Sequence, residues 1–177
     1  MRYALIALAI IGALILTIVV VGLLLPTKHR ASREATYGRP PAEVFRVIST
    51  PVDFPAWRTG VSKVDILPAS DGKASWREFG KDGTIRFEVE RSVADTTLVT
   101  RIADRSLPFG GTWTYTLLPK GDSTTLRIVE DGEVYNPIFR FVSRFVMGYT
   151  ATMDGYLRDL GKHLGQQAVV IRSSEAE

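Results

Sequence analysis

Apolar positions recur along this chain with three different spacings, and each spacing predicts a different kind of element. From Ala4 to Leu25 the apolar run is unbroken: 22 residues carry no charge. As a helix they would rise about 33 Å, matching a bilayer core of about 30 Å. From Val61 to Tyr135 the period is two. Val61 to Leu67, Ala74 to Phe79, Thr84 to Ser92, Thr97 to Ala103, Thr112 to Leu118 and Thr124 to Val134 read as six strands. Turn signals separate them at Ser70-Asp71-Gly72, Gly80-Lys81-Asp82-Gly83, Ala94-Asp95, Gly110-Gly111 and Lys120-Gly121-Asp122. Connections so short join antiparallel neighbours. Ile85, Phe87 and Val89 alternate with Arg86, Glu88 and Glu90, and Trp113, Tyr115 and Leu117 with Thr112, Thr114 and Thr116. One face of the meander is therefore apolar and the other polar.

From Asn136 to about Gly165 the period becomes 3.6. Ile138, Phe141, Val142, Phe145, Val146, Tyr149, Met153, Tyr156, Leu157, Leu160 and Leu164 fall on one arc of roughly 160°. Arg140, Arg144, Asp154, Arg158 and Lys162 fall opposite. Asn136 is placed to cap the first turn, Pro137 suits the first helical position, and Gly161 and Gly165 offer stops. The spacing predicts a single helix of about eight turns, whose broad aromatic stripe needs a curved sheet rather than one facing helix to cover it. Between the first apolar run and the meander, Pro26 to Ser32 reads as a short polar connection and Arg33 to Tyr37 as a first strand. PPAEVFRVIS then forms a short amphipathic helix, and Thr50-Pro51-Val52-Asp53, with capping-box spacing, a further turn ended by Pro55. The expected organisation is a transmembrane helix over 4–25, a connection over 26–32, one domain over 33–165 and a polar tail over 166–177.

That order of elements, with ATYGRPPAEVFRVISTPVDFPAW at the front and GGTWTYTLLPKGDSTTLRIVEDGEV in the last hairpin, resembles the SRPBCC superfamily. More narrowly it is similar to the polyketide cyclase/dehydrase and lipid-transport group, related in fold to START domains and the birch-pollen-allergen family. The resemblance covers about residues 31 to 165. It implies an α+β helix-grip fold, in which a curved seven-stranded antiparallel sheet wraps a long C-terminal helix, two short helices follow strand 1, and a deep apolar cavity lies between sheet and helix.

Charge and composition narrow the partners. The net charge is +3, and no Lys/Arg run interleaved with aromatics marks a nucleic-acid surface. Nucleic acid is set aside, and a protein partner is not identified. Absence of cysteine excludes disulfides, thiolate metal sites and cysteine nucleophiles. The apolar run is longer than a signal-peptide core, which favours an uncleaved single-pass anchor over a signal cleaved near Ala31. Lys28, Arg30, Arg33 and Arg39 follow it and only Arg2 precedes it, so the positive-inside rule places the domain on the cytoplasmic side.

Enzyme signatures are missing: there is no G-x-S-x-G, H-E-x-x-H, P-loop or G-x-G-x-x-G. No catalytic set, metal site or cofactor is assigned. His29 reads as a solvated residue of the connection, and His163 as a structural residue suited to the helix dipole. The candidate site is the cavity. Phe87, Trp113 and Tyr115 should line it from the sheet, Phe145, Tyr149 and Met153 from the helix, and Trp57 should stand at its mouth or staple a short helix to the sheet. In Leu126-Ile128-Glu130 the alternation places Glu130 inward, to pair with a tyrosine hydroxyl or Arg101 or to orient a head group, unless Asp131-Gly132 starts a bulge that turns it out. Arg140, Arg144, Arg158 and Lys162 form an outer row that could meet anionic head groups. The expectation is a membrane-anchored domain that binds a hydrophobic, lipid-like small molecule. The alternatives are a cyclase or dehydratase using Glu130 with Tyr115 or Tyr149, and an interaction module with a filled core. An open pocket would favour the first two and a packed core the last.

Overall fold

A computed structural model describes residues 2–81 and 83–172. Helix α1 (Arg2–Leu24) is long and apolar enough to cross a membrane, with mean hydropathy 3.1 over its best window, none of which is covered by the rest of the chain. A signal sequence would meet the same criterion. Seven strands follow: β1 (Lys28–Tyr37), β2 (Val61–Ser70), β3 (Lys73–Gly80), β4 (Gly83–Val93), β5 (Thr97–Ile102), β6 (Phe109–Lys120) and β7 (Ser123–Val134). They form one antiparallel sheet in the order β1-β7-β6-β5-β4-β3-β2. Helix α2 (Pro41–Ile48), a 3₁₀ turn (Pro51–Asp53) and α3 (Phe54–Trp57) carry the chain from one edge to the other, after which the meander returns to β1.

Local chemistry explains most boundaries. Pro41 opens α2, where a missing N–H costs nothing. The β2–β3 hairpin turns through Asp71 and Gly72, both at positive φ, as a tight two-residue connection requires. Thr50 differs from expectation: its hydroxyl does not cap the next turn but donates to the Arg46 carbonyl at 2.7 Å, satisfying an orphan acceptor at the end of α2.

Strand β1 starts at Lys28, five residues before the expected Arg33, so most of the expected 26–32 connection is sheet. His29 pairs with Gly132 and Ala31 with Glu130, and the β6–β7 and β1–β7 registers run unbroken through Asp131 and Gly132. There is no bulge, and Glu130 keeps the inward face of Leu126 and Ile128. Close to the C-terminal end of the described residues, Ile171 makes a two-way backbone pair with Glu34, adding a bridge to the β1 edge.

The long C-terminal helix is two helices. Asn136 accepts from the amides of Ile138 and Phe139, as expected of a cap, and α4 (Pro137–Val142) begins there. A π-helical turn (Ser143–Met147) follows and ends at Gly148, whose φ of 74° and ψ of 161° lie in a region open essentially to glycine. Helix α5 (Ala151–His163) then lies in the concavity of the sheet. Its Met153, Tyr156, Leu157 and Leu160 are buried against Tyr37, Leu98, Tyr115, Leu117, Leu126 and Ile128, with Val44 and Ile48 of α2 closing the end. The Tyr37 hydroxyl donates to the Leu157 carbonyl at 2.8 Å. Helix α4 turns away and packs on α1 instead, where a Cβ on Gly22 would overlap the Pro137 backbone.

Candidate functional site

The break at Gly148 divides the concave face in two. Beneath α5 it is packed: Tyr115 and Met153, expected to line an open cavity, and Trp57, expected at its mouth or as a staple, are buried in the core. Trp57 sits edge-on to Phe54 and Tyr156 at ring separations of 5.6 and 5.2 Å, which fits the staple rather than the mouth. Beyond α5, Phe87, Trp113 and Tyr149 are only half-buried. Phe145, expected among them, is 59% exposed because the π-helical turn carries it off the sheet.

At the β1–β7 edge of this uncovered half is a polar group of three. His29 Nε2 lies 3.3 Å from Glu130 Oε1, and the His29 ring stacks on Tyr149 with centroids 3.9 Å apart and planes 16° off parallel. Trp113 is the direct cross-strand neighbour of Glu130. The His29 side chain is 12% exposed and that of Glu130 20%, so the pair is shielded but reachable. Space for the imidazole comes from Gly132, where a Cβ would overlap the ring. The partner of Glu130 is thus His29, not a tyrosine hydroxyl, while Arg101 instead lies 3.6 Å from Glu90. A histidine and a carboxylate in this arrangement can share a proton or orient a polar head group.

Aromatic rings lead inward from there. Trp113 meets Tyr156 at 5.8 Å, and Tyr156 meets Tyr115 at 5.7 Å as well as Trp57. The Tyr156 hydroxyl lies near that of Tyr115 but closes no hydrogen bond, and the Trp57 indole N–H is likewise buried without a partner among the described residues. Burial pushes the Tyr115 hydroxyl up to about 12, with the Arg58 guanidinium pulling the other way. Burial and then the neighbouring Tyr115 hold Tyr156 well above the ordinary phenol range. Both therefore remain neutral donors and acceptors at physiological pH.

One inner group had no sequence signal beyond its alternation. Glu78 is buried, accepts from Arg58 Nη1 at 2.7 Å and from Trp76 Nε1 at 2.9 Å, and so leaves no bare charge in the core. The Arg58 guanidinium lies over the Phe54 and Tyr156 rings at 4.9 and 5.2 Å. Trp76 stacks on Phe87 at 5.5 Å, and beside that stack a groove of about 290 Å³ opens between Ser49, Pro51, Ile66 and Val89. Among the described residues no cluster of three or more His, Asp or Glu could hold a metal ion.

The outer basic row is dispersed by the helix break. Arg140 donates to the carbonyls of Leu25 and Tyr135, Arg158 to that of Asp154, and Lys162 lies 3.7 Å from Asp159.

A model of the family described as "Polyketide cyclase / dehydrase and lipid transport" matches residues 28–165, the sheet and both C-terminal helices. Among solved structures, the chain is similar to a START superfamily protein from Mycobacterium smegmatis, with a TM-score of 0.62 and 17% identity over 77% of this chain and 97% of that one. It is also similar to the Zhui aromatase/cyclase from Streptomyces sp. R1128, with a TM-score of 0.62 and 11% identity over 78% and 94%. Norcoclaurine synthase from Thalictrum flavum gives a TM-score of 0.61 and 13% identity over 79% and 88%. At such identities these structures share the fold. A search among curated proteins gives no match. The family description supports a ligand-binding domain.

Proposed function

As the chain belongs to the polyketide cyclase/dehydrase and lipid transport family, we propose that it is a membrane-anchored carrier or sensor of a hydrophobic, lipid-like molecule, bound at the half of the concave face that α5 leaves open. One observation carries the reading. The helix break at Gly148 leaves Trp113 and Tyr149 half-buried beside a shielded polar pair, His29 and Glu130, with Phe87 half-buried farther along the sheet on β4, an arrangement that suits a ligand with a long apolar body and one polar end. The unpartnered Tyr156 hydroxyl and Trp57 N–H mark where an oxygen atom or a water molecule would be held deeper in. Helix α1 supplies the anchor, and the excess of Lys28, Arg30, Arg33 and Arg39 over Arg2 directs the domain to the cytoplasmic side.

A second reading rests on the His29–Glu130 pair: a proton-transfer enzyme of the cyclase or dehydratase kind, with the pair as acid and base. Both readings place the ligand at the same residues. The test is photo-crosslinking of the full chain in mixed micelles with a fatty acid bearing a photoactivatable tail. Adducts on Phe87, Trp113 or Tyr149, reduced in Trp113→Ala, are expected. Adducts confined to α1 would overturn the carrier reading.

A further inference from the structure

We propose that α4 and the π-helical turn after it lie in the lipid surface as an interfacial segment beside α1, so that the open half of the concave face has its mouth, at the stacked His29 and Tyr149 rings, against the bilayer. The inference rests on the reading of α1 as a membrane anchor. Three observations support it.

The segment is apolar where the fold gives it nothing to cover. Ile138 and Phe139 of α4 are exposed, as are Phe145, Val146 and Met147 of the π-helical turn, with Val146 at 72% and Met147 at 67%. This concentration of large exposed side chains within ten positions is contiguous in sequence with Tyr149 at the mouth.

Its position is fixed against the end of the apolar helix. Pro137 approaches Gly22 too closely for any side chain there, and Arg140 Nη1 donates to the Leu25 carbonyl at 2.9 Å, occupying the last acceptor of the α1 turn. The segment therefore sits at the level where α1 leaves the hydrocarbon, the depth at which interfacial helices bury their apolar side chains. Most of helix α1 is exposed, Gly22 alone being buried where Pro137 meets it. One lipid surface would cover both.

The charge is of the matching sign. From Pro137 to Met153 there is no acidic residue, while Arg140 and Arg144 are present, and Arg144 makes no ion pair among the described residues. Anionic head groups would be attracted to such a stretch.

The chain has no cysteine, so single labels are unambiguous. An environment-sensitive fluorophore is attached to Ala9→Cys, Val146→Cys or Lys120→Cys in the full chain, reconstituted in vesicles of phosphatidylcholine and phosphatidylglycerol with or without doxyl-labelled lipids. Val146 is exposed and Lys120 lies at the far end of the β6–β7 hairpin, so neither label disturbs the core. The expected result is a blue-shifted Val146→Cys signal quenched by shallow doxyl lipids, Ala9→Cys quenched by deep ones, and Lys120→Cys unaffected. Quenching at 9 with an aqueous signal at 146 overturns the interfacial segment and leaves the anchor standing. A shielded signal at 146 that ignores doxyl lipids and depends on protein density means that a second chain covers the patch, which also overturns it. No quenching at either position removes the anchor and the proposal together.

Discussion

Gly132→Ala is the sharpest single perturbation of the candidate site. Gly132 is not among the residues with positive φ, so the backbone does not resist an alanine. What resists it is the His29 imidazole, which occupies the space a Cβ would take, with Glu130 Oε1 also only 3.0 Å from that point. The ring cannot slide aside cheaply, being stacked on Tyr149 at 3.9 Å on one face. Forcing it out is an overpacking event of about 2 kcal/mol, within the usual range of about 1–3 kcal/mol. It also breaks the His29–Glu130 contact. Three tryptophans, all in the sheet domain, report unfolding without interference from α1. With a urea dependence of about 2 kcal/mol per molar, the midpoint of the full chain in mild detergent should fall by about 1 M. The decisive measurement is the cycle with His29→Ala. Once the imidazole is gone the methyl group has room, so in that background Gly132→Ala should cost less than about 0.5 kcal/mol, leaving a coupling of about 1.5 kcal/mol. Additivity within about 0.5 kcal/mol would mean that His29 does not lie across Gly132, and the His29–Glu130 site would not have this geometry.

Two further outcomes follow from the interior. Glu78→Ala should destabilise the domain by about 3 kcal/mol, the low end for a broken buried pair because the Arg58 side chain retains 19% exposure, and Arg58→Met in the same chain should recover part of the loss; equilibrium melts measure both. Alkaline titration should show Tyr37, Tyr115 and Tyr156 still neutral at pH 11 in the folded chain, since burial raises all three. Their contribution is fully present below pH 10, where the unfolded chain keeps its phenols protonated. It is lost as pH rises toward the folded values, at about 1.4 kcal/mol per pH unit for each tyrosine. Phenolate absorbance against pH measures this, and ionisation of more than three of the six tyrosines by pH 11 before any unfolding would contradict it.

The sequence by itself determined what depends on near neighbours. Period-two alternation needs only the pleat, so the strands and their facing were legible, as were the Asn136 cap and the turn at Asp71-Gly72, whereas the alternation left Glu130 open between an inward place and a bulge until the unbroken pairing through Asp131 and Gly132 decided it. Family resemblance then supplied the order of layers. Tertiary structure alone decided the break in the last helix. Both halves carry an amphipathic stripe, and the stripe does not say whether its partner is the sheet or α1. Gly148 was a signal, but glycine inside a helix costs only about 1 kcal/mol, too little to outweigh a pattern that fits over its whole length. The candidate site was hidden for a stronger reason. His29 and Glu130 are 101 positions apart and meet only because β1 returns to pair with β7. His29 joined the sheet because Gly132 left its ring a place to lie, and a space between two strands is a property of their pairing, absent from either strand read alone.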